Sequence, residues 1–238
     1  MIEKIDSYQK FKMPFGHHTL VGDLLTNDTE AHALVLHGAG EQGRVRVRFL
    51  REYLFENGIS SCAFDFIGHG ETGGDIKQTS LYERTRQACS IIDAQNLKQP
   101  LNIVAASMGA YTAVSLLKHY DVDRMICLVP AMYSAAAYRV PFGNGFTEII
   151  REPESWFRSD AWELLSGYTG RLFVVEGEKD GVIPVGVIEK ICESAVSAKE
   201  LKRYTVSGAP HFVFTYLRKE NPSALGALMG QIVDMLSR

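Results

Sequence analysis

A single serine, Ser107, stands where the apolar stretch Leu101–Ala106 (LNIVAA) runs directly into an apolar-periodic helix, within "AASMG". Serine at such a joint has two chemical uses. It can cap the helix, a position serine favours, or it can be a nucleophile held up on a sharp strand-to-helix turn. A turn of that kind strains the serine backbone and brings strand and helix close together. It therefore needs small residues two before and two after, and Ala105 and Gly109 meet that need. The stretch alone does not choose between cap and nucleophile.

A nucleophilic serine needs an oxyanion site, a base and an acid that orients the base. His37-Gly38-Ala39-Gly40 follows an earlier apolar run, and its glycines free backbone N–H groups to face developing negative charge. Ala39 N–H and Met108 N–H are the candidate donors, the second gaining from a helix N-terminus; a plain glycine turn is the alternative. Asp180, in "VVEGEKDGVIP", is the candidate acid, with Glu178 as a rival and a turn aspartate before Gly181 as the plainer role. His211, in "VSGAPHFVF", is the candidate base. Of seven histidines, only His37, His69 and His211 follow strands at the same presumed edge, and only His211 comes after the acid. His37 is expected to shape its loop rather than act as the base, and is a candidate substrate contact. The order Ser107…Asp180…His211 is that of one hydrolase architecture, with each residue at the end of a different strand.

The elements that must position these residues are short apolar runs alternating with helical patterns. Strands are predicted at Ala33–His37, Ser61–Phe66, Leu101–Ala106, Met125–Val129, Leu172–Glu176 and, more polar, Leu201–Val206. Helices are predicted around Val45–Asn57, Ser80–Asn96, Met108–His119, Pro184–Ser197 and Ser223–Leu236. Near-continuous apolar strands suit a parallel sheet covered on both faces. The expected fold class is α/β: a doubly wound, mostly parallel sheet with right-handed crossovers. "FKMPFGHHTLVGDLL" adds an antiparallel N-terminal edge hairpin turning at Phe15-Gly16-His17. Residues 131–170 break the rhythm with a long aromatic-rich insertion, expected to be a small lid on a single domain spanning 1–238. Its Tyr133, Tyr138, Phe142, Trp156 and Trp162 are candidate substrate contacts, although the same residues could pack the lid to the core.

Bulk properties narrow the function classes. A net charge of −3 gives no electrostatic case for a nucleic-acid or anionic-membrane partner. Arg44, Arg46, Arg48 and Arg51 cluster at helical spacing and are expected to form a solvated helix face. No apolar run approaches the roughly 18 residues of a membrane span, and Met1–Asp6 lacks a signal-peptide core. Cys62, Cys89, Cys127 and Cys192 are far apart in apolar segments, so buried reduced thiols in a cytoplasmic protein are expected. Nothing in the sequence sets an oligomeric state.

Several stretches together resemble the α/β-hydrolase superfamily, particularly its small esterase and serine-aminopeptidase-like (S33-type) members. They are His37-Gly38-Ala39-Gly40, Asp65-Phe66-Ile67-Gly68-His69-Gly70, Ala105-Ala106-Ser107-Met108-Gly109, Gly177-Glu178-Lys179-Asp180 and Pro210-His211-Phe212. The resemblance implies Ser107 as nucleophile, His211 as base, Asp180 as acid, and Ala39 with Met108 as oxyanion donors. It gives the Gly68-His69-Gly70 loop a structural role. Ala105 departs from the glycine common in the family, but is still small. The expected reaction is hydrolysis of a small, uncharged carboxylic ester through an acyl-serine, with no metal or organic cofactor. A base must be neutral and an unperturbed histidine titrates near ~6.5, so activity is expected to collapse in mild acid. A thioesterase, an amidase or aminopeptidase, and an acyltransferase could use the same residues. A non-catalytic receptor on the same fold would be marked by a lost member of the set, and none is missing.

Overall fold

The computed structural model describes residues 8–26, 32–40 and 42–237. Among these residues eight strands form one sheet: β1 (Tyr8–Phe15), β2 (His18–Leu25), β3 (Ala33–Leu36), β4 (Ser61–Phe64), β5 (Leu101–Ala106), β6 (Val122–Leu128), β7 (Arg171–Gly177) and β8 (Glu200–Val206). Their spatial order is β1-β2-β4-β3-β5-β6-β7-β8. β1 and β2 pair antiparallel, β2 joins β4 antiparallel, and the remaining neighbours are parallel. The predicted hairpin therefore does edge a doubly wound sheet.

The central strands are apolar throughout because successive side chains enter two different helix layers. Val35, Ala63, Val104, Ile126 and Phe173 face Leu50 and Leu54 of helix α1 (Arg48–Glu56) and, from the C-terminal helix, Leu228, Met229 and Ile232. Leu34, Cys62, Ile103, Met125 and Leu172 face the opposite layer. There helix α2 (Leu81–Ala94) supplies Leu81, Ala88 and Ile91, and helix α3 (Met108–Leu116) supplies Ala110, Tyr111 and Val114. β8 alternates partly buried and exposed residues, as an edge strand does, which accounts for its polar composition.

The insertion between β6 and β7 holds two short helices, α4 (Phe146–Arg151) and α5 (Ala161–Ser166), and 3₁₀ turns at Ala135–Ala137 and Ser155–Arg158. After β7 come α6 (Val185–Ser194), then β8, α7 (Val213–Glu220) and α8 (Pro222–Ser237). Helix α7 is absent from the sequence expectation, which places only one helix after His211. Its opening Val213-Phe214-Thr215-Tyr216 carries β-branched and aromatic types that suit strands. Burial of Val213 and Leu217 against the α8 layer overrides that preference.

The expected solvated arginine face is also corrected. Arg44 and Arg51 are buried, and both bind Asp23; Arg44 also binds Asp65 and Glu71. Only Arg46 and Arg48 lie on the surface. The helical spacing is real, but 3₁₀ turn Gly43–Val47 followed by α1 carries the first and last of the four, Arg44 and Arg51, onto Asp23 of β2. The cysteines form no disulfide, and Cys62 and Cys127 are buried as expected. Cys89 and Cys192 are only partly buried. No helix among the described residues is long and apolar enough to cross a membrane.

Candidate active site

Ser107 follows β5 with φ 51° and ψ −120°, a backbone region that side-chain-bearing residues avoid. Three backbone hydrogen bonds hold it there. Ser107 N–H donates to Leu128 O at 2.9 Å, and Ser107 O accepts from Ala110 N–H at 3.0 Å and Ala131 N–H at 3.2 Å. The hydroxyl makes no capping bond to α3. Its partner is His211 Nε2, at 3.1 Å. Of the two uses open to this serine, the side chain does not take the cap.

Close approach explains the small neighbours. A Cβ on Gly109 would lie 2.8 Å from the carbonyl oxygens of both Leu36 and His37, where α3 crosses the end of β3. A Cβ on Gly38 would meet Ser107 Cβ at 3.0 Å and Ala106 O at 3.1 Å. The loop carrying Ala39 is thereby laid directly against the turn carrying Ser107. Met108 opens α3, so its N–H belongs to the first turn, whose amides have no intrahelical acceptor.

His211 and Asp180 arrive from the loops after β8 and β7. Lys179 N–H donates to Ala209 O at 2.9 Å, and a Cβ on Gly177 would sit 2.5 Å from the same oxygen, so the two loops are in tight register. Asp180 Oδ2 lies 2.8 Å from His211 Nδ1. Its Oδ1 accepts from Val182 N–H at 2.8 Å and Ile183 N–H at 3.0 Å. A carboxylate at Nδ1 places the ring proton there and leaves Nε2 free to accept from the serine hydroxyl. Glu178 turns away to Ser207 and Gly208, and Glu176 binds Arg203 and Thr205. Only one carboxylate of the three reaches the imidazole.

The other two histidines at this edge are buried and neutral. His37 accepts from Phe66 N–H at Nε2 and donates from Nδ1 to Gly38 O at 2.7 Å, so it orders the loop and its ring is not available to a substrate. Burial first, and the nearby Arg84 charge second, hold its pKa well below the usual histidine value and bring that of His69 down to about 4. Unfolded, His69 takes up a proton near ~6.5; folded, it resists until about 4. Stability is therefore expected to fall as pH drops through that window, by roughly 3 kcal/mol at its lower end from His69 alone. Urea melts at pH 7 and 4.5 of the wild type and of His69→Gln measure it. The acid loss should shrink in the variant, and an equal loss in both would remove His69 as its source.

A model of the family described as "Serine aminopeptidase, S33" matches residues 27–159, more than half of the 238-residue chain. The chain belongs to this hydrolase family. The matched range of this S33-family hydrolase contains the Ala39 loop and Ser107, whereas Asp180 and His211 lie C-terminal to it. No curated protein matches by sequence. Among solved structures the hydrolase is similar to Est1E from Butyrivibrio proteoclasticus with bound ferulic acid, at TM-score 0.73 and 13% identity over 96% of this chain and 100% of the other. It is also similar to the Pyrococcus furiosus esterase Pf2001, at TM-score 0.69 and 18% identity over 97% and 92%. A monoacylglycerol lipase from Paleococcus ferrophilus matches at TM-score 0.69 and 17% identity over 96% and 98%. At these identities the shared property is the α/β-hydrolase fold.

In this S33-family chain the aromatic residues of 131–170 fall into two groups. Tyr133 and Tyr138 pack edge-on against Tyr111 of α3, Tyr138 also against Tyr82 of α2, and Phe142 against Phe146. Trp156 stacks on Phe157 and reaches Gly186 of α6, while Trp162 Nε1 donates to the carbonyls of Trp156 and Phe157. Asp160 ties the segment to α3 through Tyr111 Oη at 2.6 Å, and to the turn after α3 through Lys118 Nζ at 2.7 Å. These contacts fasten the insertion to α2, α3 and α6. One residue that sequence reading passed over is Arg84, which stands between Leu81 and Ala88 on the buried face of α2. A cation at a core position of an amphipathic pattern is the signal that would have marked it.

Proposed function

We propose that the protein is a serine hydrolase that cleaves small, uncharged carboxylic esters through an acyl-serine intermediate. The observation that carries this is the continuous contact from Ser107 Oγ to His211 Nε2 at 3.1 Å and from His211 Nδ1 to Asp180 Oδ2 at 2.8 Å. Ser107 is the nucleophile, His211 the general base and Asp180 the acid that fixes the imidazole tautomer. His211 takes the serine proton as Oγ attacks the carbonyl carbon and gives it to the leaving alcohol. It then activates water against the acyl-serine. The Ala39 and Met108 N–H groups face the carbonyl oxygen as it becomes negative. Residues 131–170 act as a lid on a single hydrolase domain, with Tyr133, Tyr138, Phe142, Trp156 and Trp162 contributing to the acyl or alcohol side.

The ferulic acid bound to one fold neighbour and the aromatic lid place an aryl-containing ester in the test set. The test is turnover of p-nitrophenyl esters of graded acyl length, aryl cinnamates, a thioester and aminoacyl anilides, alongside labelling by a fluorophosphonate probe. Labelling and a preference for short or aryl esters are expected. A folded protein that resists the probe would end the serine reading. A preference for the thioester or the anilides would move the substrate class and leave the mechanism standing.

A further inference from the structure

The guanidinium of Arg84 is fully buried, and no carboxylate pairs with it among the described residues. It lies 3.7 Å over the ring of Phe66. One terminal nitrogen, Nη2, donates to His37 O at 2.8 Å and reaches Gly38 O at 3.4 Å. Nε and Nη1 have no hydrogen-bond partner among the described residues. Burial of this charge is unfavourable enough to pull its pKa down to about 9. A leucine or methionine would cover Phe66 and continue the apolar face of α2 without that penalty. What a guanidinium does there and an alkyl chain cannot is hold carbonyl oxygens.

Those oxygens belong to the loop that carries Ala39. The Gly38 carbonyl accepts from His37 Nδ1–H at 2.7 Å as well as facing Arg84. A trans peptide is planar, with its C=O and N–H pointing in opposite directions. The Gly38 carbonyl and the Ala39 N–H are the two ends of one such peptide. Anchoring the oxygen inward, toward α2, therefore turns the Ala39 N–H away from α2, in a loop whose Gly38 abuts Ser107.

We propose that Arg84 is a positioning residue for the oxyanion site, its guanidinium clamping the His37 and Gly38 carbonyls so that the Ala39 N–H faces the tetrahedral intermediate. The proposal rests on the serine-hydrolase reading above. Because the charge has no counter-ion among the described residues, its field also favours an oxyanion over a neutral carbonyl, and the effect belongs in kcat rather than KM.

The test compares wild type, Arg84→Gln and Arg84→Lys on p-nitrophenyl acetate, with active sites titrated, and measures inhibition by phenylboronic acid, which forms a tetrahedral adduct on serine. Removing an oxyanion donor outright costs about 10²- to 10³-fold in kcat, and loosening one should cost less. The glutamine variant is expected to lose about 10- to 100-fold in kcat with KM within about twofold, and to bind the boronate correspondingly more weakly. The lysine variant, which keeps the charge but can reach one carbonyl only, is expected to fall between the two. If the glutamine variant does not fold, the lysine variant decides alone. Wild-type kcat per titrated site in whichever variant folds overturns the proposal, as does a loss confined to the number of active sites. Ser107→Ala run in parallel separates the two readings: full turnover there ends both, whereas inactive Ser107→Ala beside unimpaired Arg84 variants ends only this one.

Discussion

Ser107→Ala is expected to lower kcat on p-nitrophenyl acetate by about 10⁴- to 10⁶-fold and to abolish fluorophosphonate labelling. The variant keeps its fold, because alanine places a Cβ where serine does and inherits the same φ of 51°. Nothing else at the site can take over attack. His211 Nε2 faces only the missing hydroxyl, and the next carboxylates, Glu176 and Glu178, are bonded elsewhere. Ser107→Gly should be equally inactive but more stable. Glycine adopts a positive φ without steric cost, so the strain held by the turn is released. Net of the entropy glycine loses on folding, the gain is about 1–2 kcal/mol. A chain of this length should show that as a rise of several degrees in melting temperature. Unchanged turnover in the alanine variant would sink the nucleophile assignment. Unchanged melting in the glycine variant would show that the backbone there is not strained.

Asp180→Asn should be the second largest effect, about 10⁴-fold in kcat with little change in KM. An asparagine oxygen can still accept from Val182 and Ile183 N–H, so the loop keeps its shape. The other end of the amide then offers N–H to His211 Nδ1, where a carboxylate oxygen stood at 2.8 Å. The imidazole must accept at Nδ1, and its proton moves to Nε2, toward Ser107 Oγ. A donor now faces the hydroxyl that should lose its proton. Asp180→Ala removes both functions and should also destabilise the loop, so the asparagine variant is the cleaner measurement. Activity within tenfold of wild type in Asp180→Asn would mean that the carboxylate does not set the tautomer.

Much of the architecture is legible in the chain because both faces of each central strand are buried. Continuous apolar runs such as Ala33–Leu36 and Leu101–Ala106 then stand out from amphipathic helices such as α2, whose Ser80 caps the first turn by accepting from Glu83 N–H. The N-terminal hairpin is legible through its turn at Gly16, where φ is +56°. Where sequence reading departs from the structure, the deciding contacts are non-local. Helix α7 forms from strand-favouring residues because Val213 and Leu217 have a layer to bury against. Arg44 and Arg51 leave the solvent because Asp23, on β2, waits beneath them.

The sequence by itself determined which residue types stand at the C-terminal ends of which strands, since that depends on local hydrophobic pattern and chain order. Ser107 after β5, Asp180 after β7 and His211 after β8 are consequences of that pattern. Only the tertiary structure decided what those side chains touch. Local pattern cannot say whether Ser107 caps α3 or meets His211, whether Asp180 or Glu178 reaches the imidazole, or that Arg84 points beneath the Ala39 loop. Each of those outcomes is a contact of a few ångströms between segments dozens of residues apart, and such contacts exist only once the sheet has brought its edges together.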